Sequence, residues 1–473
     1  MTVSADEFGA LDLHAVAALL REREVTSSAL VESSLRRARG LHKKLNCFIE
    51  LREDEALRQA EVADTEIRQG QYRGSLHGIP LAEKDMFFTP GRVSSMGSGL
   101  GHGFAPKTRA TVLDRLQVAG AVSLGTLNMS EFAAGPTGQN EFFGTCRNPW
   151  NTDYIAGGSS SGSACAVAAR LIYGSVGSDT GGSIRLPSAM CGVVGIKPTH
   201  GVVSRHGAMP RCWSLDVIGP IARTAMDCAL VLSTLAGRDD ADSATYHAFP
   251  PVRPDAIAGH PGPVRIGFAQ LPAVESEVER ALGEAAAAFA QLGFVVERIP
   301  LPDTAGIYAL TQIVNKAEAA ALHARPIMES PEGYGLSARS RIEAGFHIPA
   351  PYYLAAIAAR SRVLKQFAQQ VFSKVDVVLL PVIPRAVPSI DEVAMKASGD
   401  IPGIVDHVTQ CTRWVSYLGL PAVTAPCGRS RNGLPIGLQL LARPYAEQQL
   451  LSLLHWYQGV TSWHRDAPRL AGP

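Results

Sequence analysis

The chain has 473 residues, of which 46% are hydrophobic and 18% are charged, a composition typical of a globular protein. Its 44 lysines and arginines nearly balance its 43 aspartates and glutamates, and the formal net charge is +1. The sequence contains no long block of one charge. It therefore gives no electrostatic support for a nucleic acid or a membrane as partner.

The cysteines and the N-terminus indicate the compartment. Eight cysteines are dispersed along the chain without a CxxC pair, so they predict neither a zinc site nor a redox motif. They are typical of small buried side chains in a reducing compartment. The N-terminus carries acidic residues early and lacks the basic and apolar regions of a signal peptide. We expect a cytoplasmic protein.

The first seventy residues read as helices. Apolar residues recur at helical spacing after Thr26, a candidate N-cap, and a further helical pattern stops at Gly70. We therefore divide the chain into a helical segment, residues 1–70, that packs on an α/β domain of residues 71–473.

From HGIPLAEKDMFF onward, short apolar runs alternate with helical stretches and glycine-rich turns, as far as GLPIGLQLLARP near the end. This alternation predicts a β-sheet with helices on its faces. The Asp-, Ala-, His- and Pro-rich stretch at 238–262 reads as a loop or crossover, since the same rhythm resumes after it. We predict one large α/β domain overall.

Two glycine and serine clusters lie in residues 157–187, separated by an alanine-rich helix and a short strand. Glycines beside serine allow backbone N–H groups to converge on one point, as an oxyanion hole requires. In SDTGGSIR, a nucleophilic hydroxyl on Ser183 would be served by the amides of Thr180, Gly181, Gly182 and Ser183, and one such donor is worth about 3 kcal/mol. Each cluster alone is typical of an ordinary loop. Together they favour a site, because a linker does not continue into apolar segments on both sides.

A serine nucleophile needs a base. The thirteen histidines are scattered and none stands in a triad order with an acid. Lys84 lies in a largely apolar segment, where burial would lower its pKa and make it a base. The alternative is a surface lysine paired with Glu83 or Asp85. A second alternative concerns the nucleophile, because GSSSG at 158–162 matches the GxSxG elbow with Ser160 at its centre.

The stretch from GGSSSGSA through GSDTGGSIRLP resembles the amidase signature family. The resemblance extends to GIPLAEKD, CRNPWN, GVVGIKPTHGVVS, SLDVIGPIART and GLPAVTAPCG. It implies a Ser, cis-Ser and Lys triad, in which Lys84 withdraws a proton through Ser159 so that Ser183 attacks the carbonyl. It also implies a cis peptide before Ser159 and a large mixed sheet covered by helices.

The resemblance implies further roles near the nucleophile. Asp179 and Arg185 would brace the nucleophile loop as a pair, and Ser160 would help to hold the network of Lys84 and Ser159. No metal and no cofactor are implied.

Our leading functional hypothesis is a stand-alone hydrolase that cleaves the C–N bond of aryl or hydrophobic amides, extending to carbamates (urethanes). We expect a monomer or homodimer acting on a small molecule. The hypothesis depends on an apolar pocket from segments that adjoin the triad in the sequence. Its expected lining residues are Met86, Phe87, Phe132, Met209 and Trp213.

The alternative is the glutamine-hydrolysing subunit of an amidotransferase, which would need partner chains. Such a protein requires an acid and an arginine for the α-amino and α-carboxyl groups of glutamine. Arg211, Arg339 and Arg341 are available, and the sequence does not place them. A third class, an idle relative that only binds ligands, is disfavoured because all three triad residues are present.

Overall fold

An eleven-stranded sheet forms the centre of the computed structural model, which describes residues 8–101, 106–394 and 401–470. Its strands are β1 (Phe48–Leu51), β2 (Pro80–Lys84), β3 (Val122–Leu127), β4 (Gly174–Asp179), β5 (Val194–Lys197), β6 (Val217–Ala222), β7 (Arg265–Gln270), β8 (Val295–Pro300), β9 (Val377–Pro381), β10 (Ala422–Arg429) and β11 (Pro435–Ala442). Their spatial order is β1-β3-β2-β4-β6-β5-β10-β11-β9-β7-β8.

The sheet is mixed. Strand β2 pairs in parallel with both β3 and β4, and β7 pairs in parallel with β8 and β9. The remaining pairs are antiparallel. This architecture confirms the predicted α/β fold with one mixed central sheet.

Helices flank the sheet. They are α1 (Leu13–Arg21), α2 (Ser27–Leu45), α3 (Glu53–Arg68), α4 (Thr111–Val118), α5 (Ser161–Ala168), α6 (Arg185–Cys191), α7 (Ala225–Leu235), α8 (Ser276–Gln291), α9 (Thr304–Glu329), α10 (Leu336–Glu343), α11 (Ala350–Gln370), α12 (Ile401–Thr409), α13 (Arg413–Leu418) and α14 (Glu447–Val460). Every residue of β2, β4, β6, β9 and β11 is buried, which requires cover on both faces of the sheet. Of the described helices, none is long and apolar enough to cross a membrane.

The first seventy residues supply α1, α2 and α3, and also an element that the sequence pattern did not predict. This element is β1, which pairs with β3 and so makes the segment part of the sheet. Thr26 caps α2, since its hydroxyl accepts the N–H of Ala29 at 3.2 Å.

Helix α5 places the first serine cluster against the sheet. All eight of its residues are buried, and they are small. A Cβ on Gly162 would lie 2.3 Å from the carbonyl oxygen of Cys47, so only glycine permits this close approach. The eight cysteines are all buried and free of disulfides, as their dispersed pattern predicts.

Candidate active site

The candidate site lies where two parallel strands end side by side. Strand β2 ends at Lys84 and its parallel neighbour β4 ends at Asp179. The first serine cluster leads into α5, which begins at Ser161, and the second runs from the end of β4 into α6. Carboxyl ends of parallel strands are the usual location of sites in α/β folds, because the connecting loops converge there.

Lys84 is completely buried between two hydroxyl groups. Its Nζ donates to Oγ of Ser159 at 2.7 Å and to Oγ of Ser178 at 2.9 Å. Burial lowers the pKa of Lys84 to about 7, although the negative charges of Asp216 and Asp179 oppose this shift. At neutral pH a large fraction of Lys84 is therefore neutral and can accept a proton.

The alternative role for Lys84, a surface lysine paired with a neighbouring acid, does not occur. Glu83 forms an ion pair with Arg52 at 2.9 Å. The carboxylate of Asp85 accepts a hydrogen bond from Ser95, and it is also buried. Both neighbouring acids thus have other partners.

The two serine clusters are joined to each other. Ser159 is completely buried and follows a cis peptide bond after Gly158, and the N–H of Ser160 donates to the carbonyl of Ser183 at 3.2 Å. The Ser160 hydroxyl donates to the carbonyl of Ser178 at 3.3 Å. Ser160 therefore braces the backbone of β4, and it is Ser178 that contacts Lys84 alongside Ser159.

Sequence reasoning missed Ser178. The signal that could have found it is strand pairing. Ser178 is one residue before the end of β4, and its hydroxyl contacts Lys84, the last residue of the parallel neighbour β2. Lys84 and Ser178 are 94 residues apart in the chain, and the register of their strands is set by tertiary structure. This signal is therefore visible only once the strand pairing is known.

Asp179 and Arg185 form a fully buried bidentate ion pair, with Nε to Oδ2 and Nη2 to Oδ1 both at 2.9 Å. Burial alone would raise the pKa of the Asp179 carboxyl, but the Arg185 guanidinium and nearby donors lower it to about 2. The same carboxylate accepts the N–H groups of Gly182 at 2.7 Å and Ile184 at 3.2 Å. The pair thus holds both ends of the loop that carries Ser183.

This bracing changes the expected set of oxyanion-hole donors. The N–H of Gly182 points to Asp179 and not to a shared point with its neighbours. The amides of Thr180, Gly181 and Ser183 remain as candidates. Gly182 has φ +131°, and a Cβ there would lie 2.6 Å from Oγ1 of Thr412, so the turn requires glycine.

A cavity of about 380 Å³ opens beside Ser183. Its walls come from residues 133–136, from the loop that carries Ser183 and from α9, α10, α12 and the start of α13. Four cationic side chains and one carboxylate line it: Arg211, Lys316, Arg341, Arg413 and Asp406. Because four cations face one carboxylate, the cavity is electropositive.

The apolar residues expected in the pocket lie elsewhere. Met86, Met209 and Trp213 line a different cavity, of about 250 Å³. Phe87 is buried and bridges to Ala208, and Phe132 packs against the rings of His323 and Tyr334 behind the pocket wall. Met86 and Phe87 directly follow the Lys84–Asp85 segment in the chain, but none of the five expected residues lines the cavity beside Ser183.

The three candidate arginines separate into two groups. Arg211 and Arg341 line the cavity beside Ser183. Arg339 lies on the same helix as Arg341 but forms an ion pair with Glu343 at 2.7 Å. An arginine and an acid, Asp406, thus meet at the cavity as glutamine recognition requires.

A mixed α/β sheet with a buried lysine between serine hydroxyls, next to a braced serine loop, defines a hydrolase of the amidase class. The model of the family described as Amidase matches residues 29–451, and the chain belongs to this amidase signature family. The protein is accordingly a hydrolase acting on C–N bonds. A peptide amidase solved with the competitive inhibitor chymostatin has a similar structure, with a TM-score of 0.83 and 29% identity over 97% of this chain and 99% of the other.

Curated relatives are similar over almost the whole chain. A glutamyl-tRNA(Gln) amidotransferase subunit from Geotalea daltonii is 35% identical over 96% of this chain and 98% of its own length. The corresponding protein from Nitrosococcus oceani is 37% identical over 96% and 98%.

These relatives correct two expectations from the sequence. The leading hypothesis, a stand-alone hydrolase of aryl amides or urethanes, is wrong, and the alternative, one component of an amidotransferase, is better supported. The expectation of a monomer or homodimer that acts on a small molecule without nucleic acid is also wrong, because the relatives are subunits named for a tRNA-linked substrate. A net charge near zero on one subunit does not exclude a nucleic-acid substrate for the complex to which such a subunit belongs.

Proposed function

We propose that this chain is the glutamine-hydrolysing subunit of an amidotransferase that acts on glutamyl-tRNA and requires partner chains. The cavity beside Ser183 is lined both by an arginine that forms no ion pair and by a residue whose buried oxygen accepts no hydrogen bond within the described part of the chain. This observation carries the proposal. Free glutamine presents the complementary groups, an α-carboxylate and an α-ammonium, at the end opposite its side-chain amide.

Arg341 is the residue proposed to bind the α-carboxylate. One of its nitrogens, Nη1, donates to the carbonyl of Ala134 at 3.0 Å and to Oγ of Ser337 at 2.6 Å. These bonds orient the guanidinium and leave its other donors for a ligand. Burial lowers the pKa of Arg341 to about 10, so the group stays charged at neutral pH, and no acid among the described residues forms an ion pair with it.

Asn315 and Asp406 are the residues proposed to bind the α-ammonium. Oδ1 of Asn315 is buried on the cavity wall and has no hydrogen-bond partner among the described residues. An unsatisfied buried acceptor is costly, and an N–H donor of a ligand would satisfy it. Asp406 lines the same cavity from α12, and its carboxylate accepts from the hydroxyl of Tyr308 at 2.7 Å.

The proposed chemistry proceeds through an acyl-enzyme. Neutral Lys84 accepts a proton from Ser159, which takes the proton of Ser183 as Ser183 Oγ bonds to the side-chain carbonyl carbon of glutamine. The free amides of the nucleophile loop stabilise the oxyanion. The relay returns the proton to the leaving nitrogen, the C–N bond breaks and ammonia departs. Water then cleaves the ester, which releases glutamate.

The proposal is tested by measuring ammonia release from glutamine. The chain, carrying an affinity tag, is purified from its own cells under conditions that retain bound partners, and in parallel as a single chain. We expect glutamine hydrolysis by the assembly, stimulated by glutamyl-tRNA, and co-purification of further subunits. Absence of glutaminase activity from both preparations, with no co-purified chain, would contradict the proposal.

A further inference from the structure

Arg211 is a buried cation that glutamine recognition leaves unused. Its side chain lines the cavity beside Ser183, and the residue is only 6% exposed. Nη1 of Arg211 is buried and has no hydrogen-bond partner within the described part of the chain. Burying a charged donor without a partner is costly, so such a group points to a ligand that completes it.

The backbone of Arg211 is fixed close to the nucleophile loop. Asp216 accepts the N–H groups of Arg211 at 2.7 Å and Cys212 at 2.9 Å with one carboxylate oxygen. Its other oxygen accepts the hydroxyl of Thr180 at 2.6 Å. Asp216 thus anchors the backbone of Arg211 to the loop of Ser183. Both carboxylate oxygens of Asp216 accept from other donors, and Asp216 forms no ion pair with the Arg211 guanidinium.

The charges of the cavity exceed what glutamine can neutralise. Arg413 has an acid of its own, since Nη1 lies 3.4 Å from Oδ1 of Asp406. Arg211 and Arg341 have none among the described residues, and each lies in the field of Arg413. Their burial and the neighbouring guanidinium groups lower the pKa of both to about 10, which leaves them charged at neutral pH. Glutamine is a zwitterion with one carboxylate and no net charge.

We infer that Arg211 forms a second anion subsite, so that the cavity also takes amides whose acyl part carries two carboxylates. One carboxylate would face Arg341 and the other Arg211. The inference rests on the proposed amide hydrolysis at Ser183 but not on glutamine as its substrate. The reaction is balanced as R–CO–NH₂ plus water giving R–COO⁻ and ammonium, with the C–N bond broken and a C–O bond formed.

Three amides of one length test the subsite. Glutaramate carries one carboxylate, glutamine adds an α-ammonium to it, and (2-carbamoylethyl)malonate has a second carboxylate in place of the ammonium. Ammonia release from each is measured with the wild-type protein, as the single chain and as the assembly with its partners. We expect kcat/KM for the malonate derivative to exceed that for glutaramate about tenfold, the size of one hydrogen bond to a charged group.

Variants assign the preference to Arg211. Arg211→Gln should bring the ratio of the two kcat/KM values to about one, because the second carboxylate loses its partner. The ratio is also insensitive to a general loss of active protein. If Arg211→Gln does not fold, Arg211→Met, which retains the apolar part of the side chain, provides the same test. Arg339→Gln is the matched control, because Arg339 lies on α10 outside the cavity and should leave the ratio at its wild-type value.

The outcomes separate this inference from the proposed function. A wild-type ratio at or below one, or a high ratio that survives loss of Arg211, overturns the second subsite even if glutamine is hydrolysed. Hydrolysis of the malonate derivative with a high, Arg211-dependent ratio but no hydrolysis of glutamine keeps the subsite and rejects the glutaminase.

Discussion

Nζ of Lys84 lies 2.7 Å from Oγ of Ser159, and both side chains are completely buried. A lysine in this setting has lost the water that would stabilise its charge, and its pKa falls to about 7. The hydrogen bond then connects a base to a hydroxyl that lies next to the loop of Ser183. If the proposed relay operates, the rate of hydrolysis depends on the protonation state of Lys84.

Activity should rise with pH through about 7 and then level off, because the lowered pKa of Lys84 makes it neutral above this value. The measurement is kcat/KM for glutamine between pH 5 and 9. Lys84→Ala should lose most of the rate and the dependence. Lys197→Met is a demanding control, since burial also lowers the pKa of Lys197 to about 7, but its Nζ donates to the carbonyl of Pro198. If the rise in activity with pH disappears in Lys197→Met, the titrating group is Lys197 and not Lys84.

Ser183→Ala should lower kcat by at least about 10⁴-fold, since no acyl-enzyme can form. Ser160→Ala should retain much more activity, because the Ser160 hydroxyl is buried and, among the described residues, bonds only to the backbone of Ser178. A sulfonyl fluoride should label Ser183, as peptide mapping by mass spectrometry would show. Labelling of Ser160, or the reversed order of activities, would restore the nucleophile-elbow alternative.

Ser178→Ala should lower kcat about tenfold and shift the rise in activity to lower pH. The hydroxyl accepts from Nζ of Lys84 at 2.9 Å and so favours the charged amine, and its loss lowers the pKa further. Ser175→Ala is the matched control on the same strand, since the Ser175 hydroxyl is buried and has no hydrogen-bond partner among the described residues. An unshifted pH profile in Ser178→Ala would mean that this hydroxyl does not tune the lysine.

Arg341→Gln should raise KM for glutamine about tenfold or more and change kcat less, because it removes charge-assisted bonds to a part of the substrate that does not react. Steady-state kinetics of ammonia release measures both constants. Arg339→Gln, on the same helix and paired with Glu343, should leave KM unchanged. Equal effects of the two substitutions would argue against Arg341 as the carboxylate ligand.

Asp179→Asn should destabilise the fold by about 3 to 5 kcal/mol, because it leaves the Arg185 guanidinium buried without its counter-charge. Since the folded pKa of Asp179 is about 2, below its ordinary value, the wild-type contribution is complete above the unfolded value and is lost as pH falls through about 2. Urea denaturation at pH 7 measures the difference. Asp255→Asn, in the exposed pair with Arg253, should leave the midpoint unchanged. Similar midpoints for both variants would show that the buried pair does not stabilise the loop.

The clusters around Ser159 and Ser183 could be singled out from the sequence because their glycine and serine pattern is local. Thr180, Gly181 and Ser183 are consecutive or nearly so, and Asp179 bonds to Arg185 six residues later. The α/β fold could be predicted for the same reason, since alternating apolar runs and glycine-rich turns are short-range patterns.

The composition of the cavity beside Ser183 was decided only by tertiary structure. It brings Ser183 together with Arg211, Asn315, Arg341 and Asp406. The most distant of these, Asp406, lies more than two hundred residues after Ser183 in the sequence. Residues such as Met86 adjoin Lys84 in the chain, yet the turn after β2 sends them to the other side of the site. Local patterns determine which backbone groups surround Ser183, whereas the side chains that line the cavity beside it depend on how distant helices pack over the sheet.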